Sequence, residues 1–99
     1  MSYFGKNNDL WHGRRAAARQ RVMIVGSAVT LDGSKSILVE NVSRSGAKLR
    51  GRRLPPLGKQ VLVWMEGADA LGHVAWTAFD QCGVAFDPPL EEGALAALP

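Results

Sequence analysis

Short segments rich in Val, Ile, Leu and Thr alternate along the chain with Gly, Pro and Asp, and this alternation limits the possible fold more than any other feature. β-Branched residues favour strands and turn residues end them, so the segments predict six β-strands. The predicted strands cover residues 21–31, 36–43, 47–50, 60–65, 70–77 and 82–86, and residues 90–98 can form a short helix. The sequence therefore predicts an all-β fold, a small antiparallel barrel or sandwich with a C-terminal helix.

The length and the polar start of the chain define the domain. A chain of 99 residues corresponds to one domain. Residues 1–13 are polar and lack a hydrophobic period, so we interpret them as a flexible N-terminal arm and residues 14–99 as the β domain. Asp32-Gly33 predicts the first hairpin turn, because these residue types supply the positive φ angles of a tight turn.

Charge is divided unevenly along the chain. All twelve Lys and Arg residues lie at or before Lys59, so residues 1–59 carry a formal charge of +9 and residues 60–99 carry −6. Such a division indicates a basic surface for an anionic partner, which could be a nucleic acid, a nucleotide, phosphate or an acidic membrane. A solvated basic face without a partner explains the same charges.

The sequence gives no support for catalysis. His12 and His73 lie far apart, and no cysteine or carboxylate lies at metal-ligand spacing from either. Phosphate-binding loops and nucleophile elbows are absent, so we expect no enzyme, no cofactor and no metal. The single Cys82 cannot form an internal disulfide and is expected in the core. Without a secretory signal or a long apolar run, we expect a cytoplasmic location and no membrane insertion.

Two groups of residues can recognise an anionic ligand that carries a base. Guanidinium groups form paired hydrogen bonds to phosphate and to the edge of guanine, and an arginine cluster precedes the first strand. Asn both donates and accepts hydrogen bonds and Ser can donate to phosphate, and both follow the core of the second strand. Each group alone is equally typical of a solvated linker or of an ordinary strand and turn. The two groups are Arg14, Arg15 and Arg19, and Asn41, Ser43 and Gly46.

The second group has a predicted geometry. Side chains alternate between the faces of a strand, so Asn41 and Ser43 should share one face while Leu38 and Val42 point to the core. Gly46 would allow a tight turn with a positive φ angle. The strand should therefore present the amide and the hydroxyl together to a ligand.

The order and spacing of the two groups form a specific pattern. R-x-x-x-R at residues 15–19, followed by N-x-S-x-x-G at residues 41–46, resembles the two signatures of the PilZ domain family. Three further segments resemble that family, namely LPPLG at residues 54–58, GHVAW at residues 72–76 and GVAF at residues 83–86. The resemblance covers residues 14–90. Trp76 could stack on a base, but we expect it in the core.

The resemblance implies a six-stranded antiparallel β-barrel with a short C-terminal helix. It also implies a non-enzymatic receptor for the bacterial second messenger cyclic di-GMP, whose N-terminal arginine loop becomes ordered over the ligand and signals to an unidentified effector protein. The matched motifs assign ligand contacts to Arg14, Arg15, Arg19, Asn41, Ser43 and Gly46. The arginines would hold phosphates and guanine edges, and the Asn and Ser would contact guanine and phosphate. Arginine at position 14 implies two stacked ligand molecules per chain.

Two alternative functions stay open at this point. The first is a PilZ-type protein-interaction module that does not bind the nucleotide, and the complete motifs argue against it. The second is a small basic barrel that binds single-stranded nucleic acid. Such barrels place aromatic residues on their strands as stacking platforms, whereas the first three predicted strands contain none. We therefore expect no nucleic-acid partner.

Overall fold

A computed structural model describes the backbone of residues 20–98 and the side chains of residues 22–98. It contains strands β1 (Gln20–Thr30), β2 (Gly33–Val42), β3 (Gly46–Arg50), β4 (Gln60–Met65), β5 (Ala68–Ala78) and β6 (Gln81–Phe86), and helix α1 (Glu92–Ala96). The predicted all-β fold with a short C-terminal helix is confirmed. The predicted arm at residues 1–13 and the three candidate arginines at positions 14, 15 and 19 lie outside the described residues.

The strands form a closed antiparallel barrel in the order β1-β2-β3-β6-β5-β4. Long pairings such as β1 with β2 run from Gln20↔Val42 to Thr30↔Gly33. The seam that closes the barrel is shorter, because β1 and β4 pair only at Ser27↔Trp64, Ala28↔Val63 and Val29↔Leu62. Closure satisfies the backbone groups that would otherwise be left at the edges of a small sheet.

The barrel interior is filled by small and medium-sized apolar side chains, as the predicted strands require. Alternate residues of β4 and β6 point inward and are buried, and Leu90 and Leu98 extend the same core beyond the last strand. Cys82 is also fully buried, as expected, and burial raises the pKa of its thiol to about 11. Among the motif residues whose side chains are described, Ser43 is buried and Asn41 lies outside the core.

The antiparallel order gives the barrel two distinct ends. The β1–β2, β3–β4 and β5–β6 connections, at residues 31–32, 51–59 and 79–80, lie together at what we call the distal end. The β2–β3 and β4–β5 connections, at residues 43–45 and 66–67, lie at the opposite, terminal end. The terminal end also carries Gln20 and residues 87–98, because β1 begins there and β6 ends there.

The first hairpin turn is present where the sequence predicts it, but with a different geometry. Thr30 pairs with Gly33, so Leu31 and Asp32 are the two turn residues. Only Gly33 has a positive φ, of 128°, and Asp32 does not. The predicted positive φ angle is therefore confirmed at Gly33 and wrong at Asp32. The glycine follows the turn as the first residue of β2.

Candidate ligand-binding site

The pairing of β2 is irregular at Glu40 on both sides. Towards β3, Val39 pairs with Leu49 and Asn41 pairs with Lys48, so Glu40 has no opposite residue. Towards β1, the register also shifts, because residues 22 and 23 of β1 face the single residue Glu40. An extra residue in a strand turns the side chains that follow to the other face. Glu40 and Asn41 are consequently both partly exposed, between buried residues on either side.

Because of this bulge, the residues of β2 that point to the core differ from those predicted. Val39 and Val42 are the buried core residues, whereas Leu38 is only half-buried and pairs with the exposed Val25. The prediction that Leu38 and Val42 share the core face is wrong. The physical reason is the residue added at Glu40, which shifts the alternation by one position between them.

A row of paired residues crosses the outer surface from Asn41. Asn41 pairs with Lys48, Lys48 with Gly83, and Gly83 with Trp76. Directly paired residues project from the same face of a sheet, and Lys48 lies between two buried neighbours, so the row faces outward. Gly83, which has no side chain, is buried between Lys48 and Trp76 in this row.

Trp76 lies on the outer surface of the barrel and not in the core, where the sequence analysis placed it. It is half-buried and is not part of the buried core. The register of β5 against β6 shifts between Val74 and Trp76, so the inward Val74 and the outward Trp76 are two residues apart on one strand. The expectation of a core tryptophan is wrong, and the indole forms part of the same outer surface as Asn41.

A groove of about 380 Å³ opens next to Asn41. Strands β1, β2 and β3 supply its walls, which are Val22, Met23, Glu40, Asn41, Lys48 and Arg50. The groove is open along the surface of the barrel and mixes apolar, amide and charged groups. It is wide enough to accept part of a flat polar ligand.

Hydrogen bonds fix the charged groups of this groove. The Arg50 Nε donates to Glu40 Oε2 at 2.6 Å, and another Arg50 nitrogen donates to Asp80 Oδ2 at 2.6 Å. Gln81 donates to Glu40 Oε1 at 3.1 Å, and Lys48 Nζ lies 3.9 Å from the same oxygen. The hydrogen bond from Arg50 holds the pKa of Glu40 below its usual range. Glu40 is therefore ionised at neutral pH and orients Arg50.

Ser43 has a structural position that the strand pattern did not predict. It lies one residue beyond β2 and is fully buried, so it does not share an exposed face with Asn41. Its hydroxyl lies 3.1 Å from the Ser45 hydroxyl and accepts a hydrogen bond from the Ser45 N–H. The Ser43 N–H donates to the Gly46 carbonyl at 2.9 Å. These contacts hold the β2–β3 turn in one shape.

Gly46 is required for a reason other than the one predicted. Its φ angle is not positive, so the predicted tight turn with positive φ is wrong at this residue. A Cβ atom at Gly46 would instead collide with the backbone carbonyl oxygen of Val84 on the neighbouring strand. The absence of a side chain allows β3 and β6 to approach each other closely at this point.

The β2–β3 turn is also tied to the C-terminal segment. Arg44 Nε donates to the Leu90 carbonyl at 2.8 Å, and the Leu90 N–H donates back to the Arg44 carbonyl at 2.8 Å. The Phe86 N–H donates to the Ser45 carbonyl at 2.8 Å. Because Leu90 is itself buried in the core, these bonds anchor the turn that follows Asn41.

The start of β1 lies beside the second predicted motif. The first described residue, Gln20, pairs with Val42, and Arg21 pairs with Asn41. The chain segment that carries Arg14, Arg15 and Arg19 therefore joins the barrel beside the second motif. Sequence reasoning missed the groove residues Glu40, Lys48 and Arg50. The available signal was Glu40-Asn41, two successive polar residues between valines, which breaks the alternation expected of a regular strand.

Comparison with known families agrees with this architecture. The family model of the PilZ domain matches residues 13–98. The chain belongs to the PilZ domain family, a cyclic di-GMP-binding family whose domains are generally non-enzymatic receptor modules. A search of curated proteins found no match. None of the helices in the described part of the chain is long and apolar enough to cross a membrane.

Proposed function

We propose that this protein is a cyclic di-GMP receptor that holds the nucleotide in the groove beside Asn41 and is read by a partner protein. The observation that carries the proposal is the pairing of Arg21 with Asn41, which joins the R-x-x-x-R segment to the wall of the groove. An arginine segment and an amide-bearing surface then meet at one place on the barrel. The intact pair of motifs and the family membership support the same ligand.

The chemistry of the groove suits a flat dianion with guanine bases. Lys48 and Arg50 supply two cations beside Asn41, and the carboxylates of Glu40 and Asp80 hold Arg50 in place. The Asn41 amide can donate to and accept from the edge of guanine. Trp76 offers a planar surface on the same face, and aromatic side chains stack on bases.

The motif residues divide into two roles in this proposal. Arg15 and Arg19 hold phosphates and guanine edges, because guanidinium groups form paired, charge-assisted hydrogen bonds to both. Asn41 contacts guanine from the strand. Ser43 and Gly46 act by keeping the turn and the β3–β6 approach that position Asn41, as their burial and close contacts favour.

The proposed signal is the fixing of the arginine segment over the bound nucleotide. Ordering about six loop residues costs on the order of 6–12 kcal/mol of backbone entropy. Several charge-assisted hydrogen bonds and base stacking can offset that cost. The fixed segment would give the barrel a surface that differs between the free and bound states, which a partner protein can recognise.

Calorimetric titration with cyclic di-GMP tests the site. Arg15→Ala and Arg19→Ala should each weaken binding by about 30-fold or more, because removing one member of a hydrogen-bonded charge pair costs about 2–5 kcal/mol. Arg52→Gln is the matched control, since Arg52 is exposed in the β3–β4 connection, outside the groove lining. Unchanged affinity in both arginine variants would place the site elsewhere. The absence of any binding by the wild-type protein would favour the nucleotide-independent interaction module.

Competition and dynamics provide two further readouts. A single-stranded oligonucleotide that displaces cyclic di-GMP at equal concentration would favour the nucleic-acid alternative. Backbone NMR order parameters of residues 1–19 should rise on binding. Equal order parameters with and without nucleotide would contradict the proposed ordering while leaving the binding site itself intact.

Arg14 determines the proposed stoichiometry. We expect two stacked cyclic di-GMP molecules per chain, since one more guanidinium can bridge the additional guanine and phosphate. The Arg14→Leu variant should then saturate with one molecule. A wild-type titration that saturates at one ligand and is unchanged by Arg14→Leu would contradict this expectation.

A further inference from the structure

The distal end of the barrel carries one exposed apolar side chain on each of its three connections. Leu31 on the β1–β2 turn and Phe79 on the β5–β6 turn are 101% and 103% exposed, and Leu57 on the β3–β4 connection is 67% exposed. These residues contribute nothing to the core. They protrude from three separate loops at the same end of the molecule.

The same end has a net positive charge that is not neutralised within the described residues. Its two carboxylates are already paired, Asp32 with Lys59 at 3.1 Å and Asp80 with Arg50 at 2.6 Å. Lys35, Arg52 and Arg53 are exposed, and none of them forms an ion pair with another described residue.

The terminal end has the opposite character. It carries Glu66, Asp87, Glu91 and Glu92 on its turn and C-terminal segment. The Arg44 side chain at this end is engaged with the Leu90 carbonyl. Among the side chains of residues 22–98, the distal end is therefore positive and the terminal end negative.

Arg53 occupies the centre of the distal end. It lines both a hollow of about 520 Å³, shared with Arg52 and Phe79, and a second hollow of about 160 Å³, shared with Pro55 and Pro56. Its φ angle of 54° lies in the left-handed region, which residues with a side chain rarely adopt. Arg53 thus lies between the two hollows and shares the larger one with Phe79.

We propose that the distal end docks on the surface of an anionic lipid bilayer. Phe79, Leu31 and Leu57 enter the headgroup region, and the free cations Lys35, Arg52 and Arg53 contact lipid phosphates. A fluid bilayer can surround apolar side chains on three separate protruding loops, whereas a protein partner would need a matching pocket for each. Apolar insertion combined with a basic patch is the combination that gives stable peripheral binding.

Sedimentation of the full chain with vesicles tests this docking. In the absence of nucleotide, the protein should bind vesicles of phosphatidylcholine and phosphatidylglycerol in equal parts, and not vesicles of phosphatidylcholine alone. Arg52→Gln should weaken binding about fivefold, the expected effect of one cation at an anionic surface. Phe79→Ser should weaken it roughly tenfold through loss of apolar insertion.

Two variants are matched controls for these changes. Val25→Ser removes an exposed apolar side chain from the side of the barrel, and Ala96→Glu lowers the net charge by one at the terminal end, as Arg52→Gln does at the distal end. Both should bind vesicles like the wild-type protein. Binding that is absent, equal on neutral vesicles, or reduced equally by the controls would overturn the proposal, and absent binding would point to an acidic protein surface instead. Cyclic di-GMP titration of Arg52→Gln separates this outcome from failure of the nucleotide site.

Discussion

The strand pair β4–β5 is regular along its whole length, whereas the strand β2 is interrupted by a bulge. β4 and β5 keep one register from Gln60↔His73 to Met65↔Ala68, and alternate side chains of β4 fill the core. β2 shifts its register at Glu40 against both of its neighbours. The regular pair buries apolar groups, whereas the irregular strand turns two consecutive polar residues outward.

The difference shows how a small barrel can hold a binding groove without a deep cavity. A regular strand presents every second residue, so neighbouring polar groups on one strand point to opposite faces. The bulge at Glu40 removes this restriction and places Glu40 and Asn41 beside Lys48 and Arg50. We therefore expect changes in the regular part to affect stability and changes at the bulge to affect binding.

The largest expected effect is in the regular pair. Met65→Ala removes a side chain that is 1% exposed and should lower the free energy of unfolding by about 2–5 kcal/mol. Denaturant unfolding measures this change, and the folded protein should keep its affinity for cyclic di-GMP. Leu71→Ala, on the outer face of β5, is the control and should cost much less. A loss of affinity in the Met65 variant would contradict the expectation that changes in the regular pair affect stability and not binding.

Gly46 tests whether a residue of the second motif can act on stability, because it packs closely against the backbone of β6. Gly46→Ala places a Cβ against the Val84 carbonyl, and overpacking of this kind costs about 1–3 kcal/mol. Thermal or denaturant unfolding should show the loss. Gly93→Ala is the matched control, since a Cβ there meets open space in α1. If both variants have wild-type stability, the close approach of β3 and β6 is not limiting.

At the bulge, Asn41→Ala should change binding and not folding. Loss of its hydrogen bonds to guanine should weaken cyclic di-GMP binding about tenfold. The free energy of unfolding should change by less than about 1 kcal/mol, because the side chain is only half-buried. Calorimetry and unfolding of the same sample measure both quantities. If Asn41→Ala unfolds easily but binds cyclic di-GMP normally, Asn41 contributes to stability and not to binding, contrary to this expectation.

The smallest effect concerns Glu40 at acid pH. Its hydrogen bond with Arg50 lowers the pKa of Glu40 from the usual 4.5, so the ionised form stabilises the fold above that pH. This contribution is lost as the pH falls below 4.5 and through the lower pKa of the folded state. Glu40→Gln should therefore be slightly less stable at neutral pH and show a flatter stability profile below pH 4.5. Parallel profiles for both proteins would show that the ion pair does not contribute.

The sequence predicted the strands well because their composition and turn residues act locally. Strand β4 has the predicted bounds, and the other strands differ by a few residues at their ends. The sequence could not predict which face of the sheet Leu38 and Trp76 occupy. Strict alternation of side chains assumes a regular strand, and a bulge that interrupts it can be located only when the partner strand is known. Gly46 was misinterpreted for a related reason, since the Val84 carbonyl that excludes its Cβ belongs to a strand almost forty residues away.

The short seam between β1 and β4 has a consequence for how the barrel opens. Native proteins open first where few backbone interactions must break, and the ladder at this seam has three residue pairs, against four between β2 and β3 and five or more elsewhere in the barrel. Opening there would unroll the barrel into a sheet with β1 and β4 as its free edges. The strands β1, β2 and β3 would stay joined in that sheet, so the groove would outlast the closed core. Amide hydrogen exchange should then be fastest, among the strand residues, at the amides that bridge residues 27–29 and 62–64.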